Sequence, residues 1–354
     1  MSNPRFYSDV HIGWKLYNRP ELAEDLKTLF AQEVDRTITD KASHFVVVGD
    51  LYDGPNPPEE LVIFVTEQVK KLVAAGVVPV GIAGDHDCRP NTDQTWINDV
   101  NGFERPSGIF AGCGYKNFLN VPDYCSKVIN PEQVEFLLFH GQDETLFKFV
   151  EEKKRLNLNG IDFSRFPNLK AIILGDIHLP MNGVIKRPEL GLTIPIEYCS
   201  SIGVIKSNEI GTKTGALAWD GKKLVRLPVA YPRVYAKITL PDDTHLINDM
   251  YEALKREKNQ PLLLVTYGET TTKETIDSLK AFEEFAYVRF SQIKKTDIGE
   301  ETINIRQELA TNKREELVLN KLMKSQPARE LLLQLLHTTD QKVLLDQYKD
   351  KILL

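Results

Sequence analysis

Residues 46–53 read Val-Val-Val-Gly-Asp-Leu-Tyr-Asp, and this stretch constrains the fold more than any other. Three β-branched residues behind Phe45 suit a strand buried on both faces of a sheet. The run stops at Gly49, which leaves Asp50 at the carboxyl rim of the strand. In open α/β sheets that rim is where ligands bind. Taken alone, Gly-Asp is ordinary turn chemistry. What gives it weight is that the same arrangement recurs along the chain.

Phe6-Tyr7-Ser8 is a short strand followed by Asp9-Val10-His11. In extended chain, residues two apart face the same way, so Asp9 and His11 can present an oxygen and a nitrogen to one point. Residues 20–39 predict a helix, with Leu22, Leu26, Leu29, Phe30, Val34 and Ile38 as its apolar stripe and Pro20 in the first turn. A second helix is expected over 59–75, stopped by Gly76. The next strand, 77–83, runs into Gly84-Asp85-His86-Asp87. Alternating strands and helices of this kind make a layered α/β fold.

Residues 88–133 are broken by proline, glycine and asparagine and predict a long excursion with short helices. Strands follow over 134–139, ending in His140-Gly141, and over 169–174, ending in Gly175-Asp176-Ile177-His178. One more is expected over 193–199. Residues 215–220 and 223–229, split by Asp220-Gly221, predict a hairpin. After Tyr231-Pro232-Arg233 the pattern resets into a β-α-β-α-β unit of about sixty residues. From Asp297 on only helices are predicted, with leucine-dense faces such as Leu331, Leu332, Leu335 and Leu336. A leucine-rich helical segment beyond two domains suits docking onto another protein.

Five predicted strand ends therefore carry ligand-type side chains: Asp9 and His11, Asp50, Asp85 with His86, His140, and Asp176 with His178. They hold four of the seven histidines, whereas His44, His245 and His337 read as structural or surface residues. Imidazole and carboxylate together suit manganese, iron or zinc, and the lack of cysteine in the set disfavours a structural zinc site. Two divalent ions held close together need a bridging carboxylate. Such a pair activates a water and clamps both oxygens of a phosphoryl transfer, so the expected reaction is hydrolysis of a phosphate ester.

These blocks resemble the motifs of the calcineurin-like metallophosphoesterases: Ser8-Asp9-Val10-His11-Ile12-Gly13, Gly49-Asp50-Leu51-Tyr52-Asp53, Gly84-Asp85-His86-Asp87, His140-Gly141 and Gly175-Asp176-Ile177-His178. Within that superfamily the Asp-x-His-x-Gly and Gly-Asp-x-x-Asp blocks, with the later β-α-β-α-β unit, resemble the SbcD-type DNA-repair nucleases. The motif likeness spans roughly the first 205 residues. It implies a layered core of two sheets flanked by helices (1–232), a small α+β capping domain (233–295) and a helical partner-docking segment (296–354).

Carried over by position, the resemblance gives Asp9, His11 and His178 to a first metal, Asp85, His140 and Asp176 to a second, and Asp50 to both. His86 would contact the scissile phosphate and protonate the leaving 3′ oxygen, with Asp87 holding its ring in the required tautomer. Two departures stand out, since the family usually has asparagine at Asp85 and histidine at Asp176. Both add negative charge at the second metal. That implies two divalent ions, manganese first, with better tolerance of magnesium than in relatives.

The implied partners are DNA, an SMC-like ABC ATPase of the SbcC type bound through the C-terminal helices, and a second copy in a homodimer. A net charge of −6 fits a subunit whose partner supplies much of the grip on DNA. Lys186, Arg187, Lys206 and Lys213 are candidate phosphate contacts. No apolar run approaches a membrane span, no signal-type core opens the chain, and four scattered cysteines make no disulfide framework. A reducing cytoplasmic location follows as the expectation. Two other readings use the same site or none of it: a phosphatase of nucleotides or small esters, and a non-catalytic scaffold for the ATPase.

Overall fold

In a computed structural model the described residues are 3–292, without 89–93, 115–119, 144–145, 147–154, 213, 241 and 269–270. The expected docking helices of 296–354 lie outside them, as does Lys213. Two five-stranded sheets stack on one another. The first has the order β12-β11-β1-β2-β3, built from β1 (Arg5–Tyr7), β2 (His44–Val48), β3 (Val78–Ile82), β11 (Gly215–Trp219) and β12 (Leu224–Pro228). The second has the order β4-β5-β8-β10-β9, from β4 (Phe110–Cys113), β5 (Phe136–His140), β8 (Ala171–Gly175), β9 (Asn182–Arg187) and β10 (Leu192–Tyr198). A two-strand pair, β6 (Gln142–Asp143) with β7 (Arg155–Leu156), is hydrogen-bonded into neither.

The period-two alternation of the strands builds three apolar layers at once. On β2, Val46 and Val48 face the second sheet, where they meet Phe136, Leu138, Ala171 and Ile173. Phe45 and Val47 face the other way, into the layer that receives the helices α1 (Pro20–Thr39) and α2 (Glu59–Ala74). On β5 and β8, Leu137, Phe139, Ile172 and Leu174 form the outer layer of the second sheet. Central strands buried on both faces need near-continuous apolar runs, which is why these segments were legible. β1, β2 and β3 run parallel, as do β4, β5, β8 and β10. Their carboxyl ends therefore gather at one rim of each sheet.

Residues 88–133 hold more than the expected excursion. They contain the short helices α3 (Trp96–Asp99) and α4 (Val121–Ser126), but also β4, a full member of the second sheet. Its sequence, Phe-Ala-Gly-Cys, hides the strand because Gly112 interrupts the apolar alternation. The glycine is required there, since a Cβ would strike the Leu138 carbonyl of β5. β9 also went unpredicted: only Ile185 of its six residues is buried, so an edge strand leaves little periodic signal.

The third sheet, β13 (Tyr235–Leu240), β14 (Leu262–Tyr267) and β15 (Tyr287–Gln292), is entirely parallel, with α5 (Ile247–Leu254) and α6 (Lys273–Ser278) as its crossovers. Leu263 and Val265 of β14 point into this unit's own core with Ile238, Leu254 and Phe282. Leu262 and Leu264 point out of it, against Leu16, Leu22, Val204 and Ile210. A polar clamp joins the same two parts: Asp25 on α1, nearly fully buried, accepts bonds from the Arg233 guanidinium and the Tyr235 hydroxyl. Residues Met1–Ile293 form one compact unit. Among the described residues no helix is long and apolar enough to cross a membrane.

Candidate metal centre

The loops that leave β1 and β2 run side by side past the sheet. Asp9 N–H donates to the Gly49 carbonyl (3.1 Å), His11 N–H to that of Asp50 (3.0 Å) and Ile12 N–H to that of Leu51 (2.9 Å). This pairing carries Asp9, His11 and Asp50 forward together. Nine described non-glycine residues have positive φ, and four of them are Asp9 (φ 50°), His11 (φ 48°), Asp50 (φ 53°) and Asp176 (φ 84°). Such backbone is unfavourable for L-residues and clusters where function holds it in place.

All seven predicted ligands converge. Ligand atoms of Asp9, His11 and His178 lie within 4.8 Å of one another, as do those of Asp85, His140 and Asp176. Asp50 belongs between the two groups: it clusters with Asp9 and His140 on one side and with Asp85 and His86 on the other. Its Oδ2 is 3.3 Å from His140 Nε2 and 3.7 Å from His11 Nε2. Two glycines make room for this packing. A Cβ on Gly49 would enter the His140 ring, and one on Gly84 would enter the Asp50 carboxylate.

The histidines are aimed inward by what holds their other nitrogen. His140 Nδ1 donates to the Val48 carbonyl (2.9 Å), which turns Nε2 toward Asp50 and Asp85. That Nε2 is buried, 3.3 Å from Asp50 Oδ2 and 3.5 Å from Asp85 Oδ1. His178 Nδ1 donates to Glu209 Oε1 (2.7 Å), and its Nε2 faces His11 Nε2 at 3.2 Å. Two imidazole nitrogens converging beside Asp9 and Asp50 suit a cation far better than each other. The fit is thus made by the donor set itself, of imidazole and carboxylate without thiolate.

The electrostatics agree. Burial pushes the Asp9 carboxyl up to about 6 and drives the His11 imidazole down to about 3. Burial also opposes ionisation of Asp50, but the charge of His140 and its hydrogen bond, then His11 and His86, hold Asp50 well below the usual carboxylate range. His140 is in turn raised well above the ordinary imidazole value against its burial, chiefly by Asp50. A pocket that must borrow protonated histidines to offset its carboxylates is built for positive charge.

His86 stands beside both groups. Its main-chain N–H donates to Asp50 Oδ1 (3.0 Å), and a ring nitrogen lies within 4.8 Å of ligand atoms of Asp50 and Asp85. The role expected for Asp87 needs correction. Its buried carboxylate accepts from the main-chain amides of Leu51 (3.2 Å), Tyr52 (3.0 Å) and Gly84 (3.0 Å). It ties the β2 and β3 loops together, because three amides at loop turns need an acceptor. The His86 ring is held instead by the Asp53 carbonyl, 2.5 Å from Nδ1.

Three residues enter the site without having been singled out. Asp53 supplies that carbonyl, and its side chain, raised to about 6 by burial and then Asp50, lies 3.8 Å from His11 Nδ1. Gln142 donates to Asp176 Oδ2 (2.7 Å). Glu209 holds His178. Only Asp53, at the end of the Gly-Asp-x-x-Asp block, left a mark in the sequence. Of the basic candidates, Arg187 is engaged with Asn159 and stacked over Phe163, whereas Lys186 and Lys206 are exposed.

Two stacked sheets with carboxylate and imidazole clustered at their carboxyl rims define a dinuclear metallohydrolase. The chain belongs to the calcineurin-like phosphoesterase family, whose model matches residues 6–183, and is accordingly a metal-dependent phosphoesterase. It is similar to the DNA double-strand break repair protein Mre11 of Sulfurisphaera tokodaii, with 35% identity over 80 residues, 23% of this chain and 21% of that protein. Mre11 of Aeropyrum pernix is 30% identical over 112 residues, 30% of this chain and 27% of the relative. These matches span about a quarter of the relatives' length. A longer and weaker match, 21% over 326 residues, covers 82% of this chain and 84% of Mre11 of Nanoarchaeum equitans. Among solved structures, a dimetal phosphatase from Danio rerio aligns with a TM-score of 0.41 and 12% identity over 65% of this chain and 96% of that one.

Proposed function

We propose that this phosphoesterase is a two-metal DNA nuclease, acting on duplex ends and, as an endonuclease, on single strands. The observation that carries the reading is the convergence of seven ligands about Asp50 with His86 alongside them. The likeness to Mre11 proteins supports nucleic acid as the substrate.

Asp9, His11 and His178 would hold one ion, Asp85, His140 and Asp176 the other, and Asp50 both. When bound, two divalent ions would supply an activated water and charge to stabilise the attacking and leaving oxygens. The protein does the rest. Val48 and Glu209 fix the rings of His140 and His178 so that Nε2 faces the site. The Asp53 carbonyl takes His86 Nδ1–H, which reserves Nε2 as the proton donor to the leaving 3′ oxygen. Burial would lower the His86 imidazole, but Asp50, the Asp53 carbonyl bond and Asp85 raise it. A shift in that direction favours the protonated imidazole, the form a general acid needs.

Manganese is the proposed ion, with magnesium accepted because Asp85 and Asp176 add hard oxygen donors. The proposed setting is DNA repair, recombination or replication. There the chain would serve as a dimeric nuclease subunit joined to an SMC-like ABC ATPase through residues 296–354. Digestion of end-labelled linear duplex with manganese or magnesium, with and without such an ATPase, tests the reading, with a chromogenic diester in parallel. Metal-dependent cleavage of the duplex that falls with His86→Ala is expected. Turnover of the diester with the duplex left intact would instead mark a small-ester phosphodiesterase.

A further inference from the structure

His178 differs from His11 in one respect that matters for a ligand: its second nitrogen is held by a charge. Glu209 is almost completely buried, and its Oε1 lies 2.7 Å from His178 Nδ1. Its other oxygen accepts from the Ile205 main-chain N–H (2.7 Å) and the Ser201 hydroxyl (3.4 Å). The carboxylate is therefore pinned from behind before it meets the ring. His11 Nδ1, by contrast, is buried without a hydrogen bond.

Resting on the two-metal reading, we infer that Glu209 is a positioning residue of the metal centre, acting on His178. It holds His178 in the Nδ1–H tautomer so that the Nε2 lone pair faces the ion shared with Asp9 and His11. A carboxylate behind a ligating imidazole fixes its rotation and makes it a stronger donor. Glu209 acts through His178, since its oxygens are occupied by Nδ1, Ile205 and Ser201. The geometry gives it a second consequence. Glu209 closes the 201–209 loop, and Val204 and Ile210 of that region pack against Leu262 and Leu264 of the small sheet. The seat of the small sheet and one proposed metal ligand thus share a single buried carboxylate.

The test is calorimetric titration of Mn2+ alone into the metal-free full-length chain, its E209Q variant and its E209A variant, with nitrogen-resolved imidazole spectra of each. Two ions should bind the parent. One of the two should bind about 10-fold more weakly in E209Q and up to about 100-fold more weakly in E209A, the other being unchanged. The Nδ1–H signal of His178 should persist in E209Q and be lost from E209A. A folded E209A that binds both ions with parental affinity and keeps that signal would overturn the inference, leaving Glu209 a loop anchor. Should E209A fail to fold, E209Q decides: parental affinity at both ions overturns it, and selective weakening at one supports it. A parent chain that binds no Mn2+ would overturn the two-metal reading itself, and this inference with it.

Discussion

The two halves of the metal centre are built to different rules. The half formed by Asp9, His11 and His178 is rich in nitrogen and largely closed: Asp9 is fully buried, and its carboxylate accepts from the Ser8 hydroxyl and the Asp176 main-chain amide. The half formed by Asp85, His140 and Asp176 is rich in oxygen. Its only imidazole is fully buried, whereas Asp85 and Asp176 are half-buried. One half is anchored by a charged residue, Glu209, and the other by a neutral amide, Gln142. The difference teaches that two ions held by these groups would not occupy equivalent sites. Nitrogen-rich coordination suits later transition metals, while carboxylate oxygens suit magnesium and manganese.

The largest effect should come from removing what the halves share. Asp50→Ala is expected to lower phosphoesterase turnover by on the order of 10⁴-fold, because the carboxylate proposed to serve both ions is lost. Elemental analysis should show loss of more than one ion; retention of both would break the picture of a shared ligand. His86→Ala comes next, with a loss of about 10² to 10⁴-fold typical of a missing general acid. Metal content should stay parental in that variant, which separates chemistry from binding.

The asymmetry itself is sharpened by Asp176→His, which should raise the manganese-over-magnesium preference on the order of 10-fold, read from half-saturating metal concentrations. An unchanged ratio would show that the oxygen-rich half does not set metal choice. The smallest effect lies away from both halves and calibrates stability alone. Burial pushes the Glu197 carboxyl from 4.5 up to about 7, partly opposed by Arg226. A raised acid is fully compatible with folding below its unfolded value and costs stability as pH rises through the folded one. Denaturant stability should therefore fall by on the order of 2 kcal/mol between about pH 4.5 and 7 from this group. Glu197→Gln should flatten that slope without altering metal binding.

Much of this centre was legible because its ligands end buried strands. Val46, Val47 and Val48 announce β2, and Asp50 follows at a fixed step, so apolar pattern and ligand type reinforce each other. The residues that steady the ligands gave no such sign. Glu209 ends a three-residue helical turn and Gln142 sits in a two-residue strand, so neither has a periodicity to betray it. Asp87 misled for the opposite reason. The resemblance placed it behind the His86 ring, yet adjacent side chains on a tight loop diverge, and its carboxylate went to main-chain amides. β4 and β9 escaped notice because a required glycine broke one and solvent masked the other.

The four ligands held in left-handed backbone carry a lesson about how such a site decays. At Asp9, His11, Asp50 and Asp176 the most comfortable substitute for the main chain is glycine, which is also the most complete loss of chemistry. Local folding preference and catalysis therefore pull these positions in opposite directions. A lineage released from the need to cut phosphodiesters would find its easiest stabilising changes inside its own former active site.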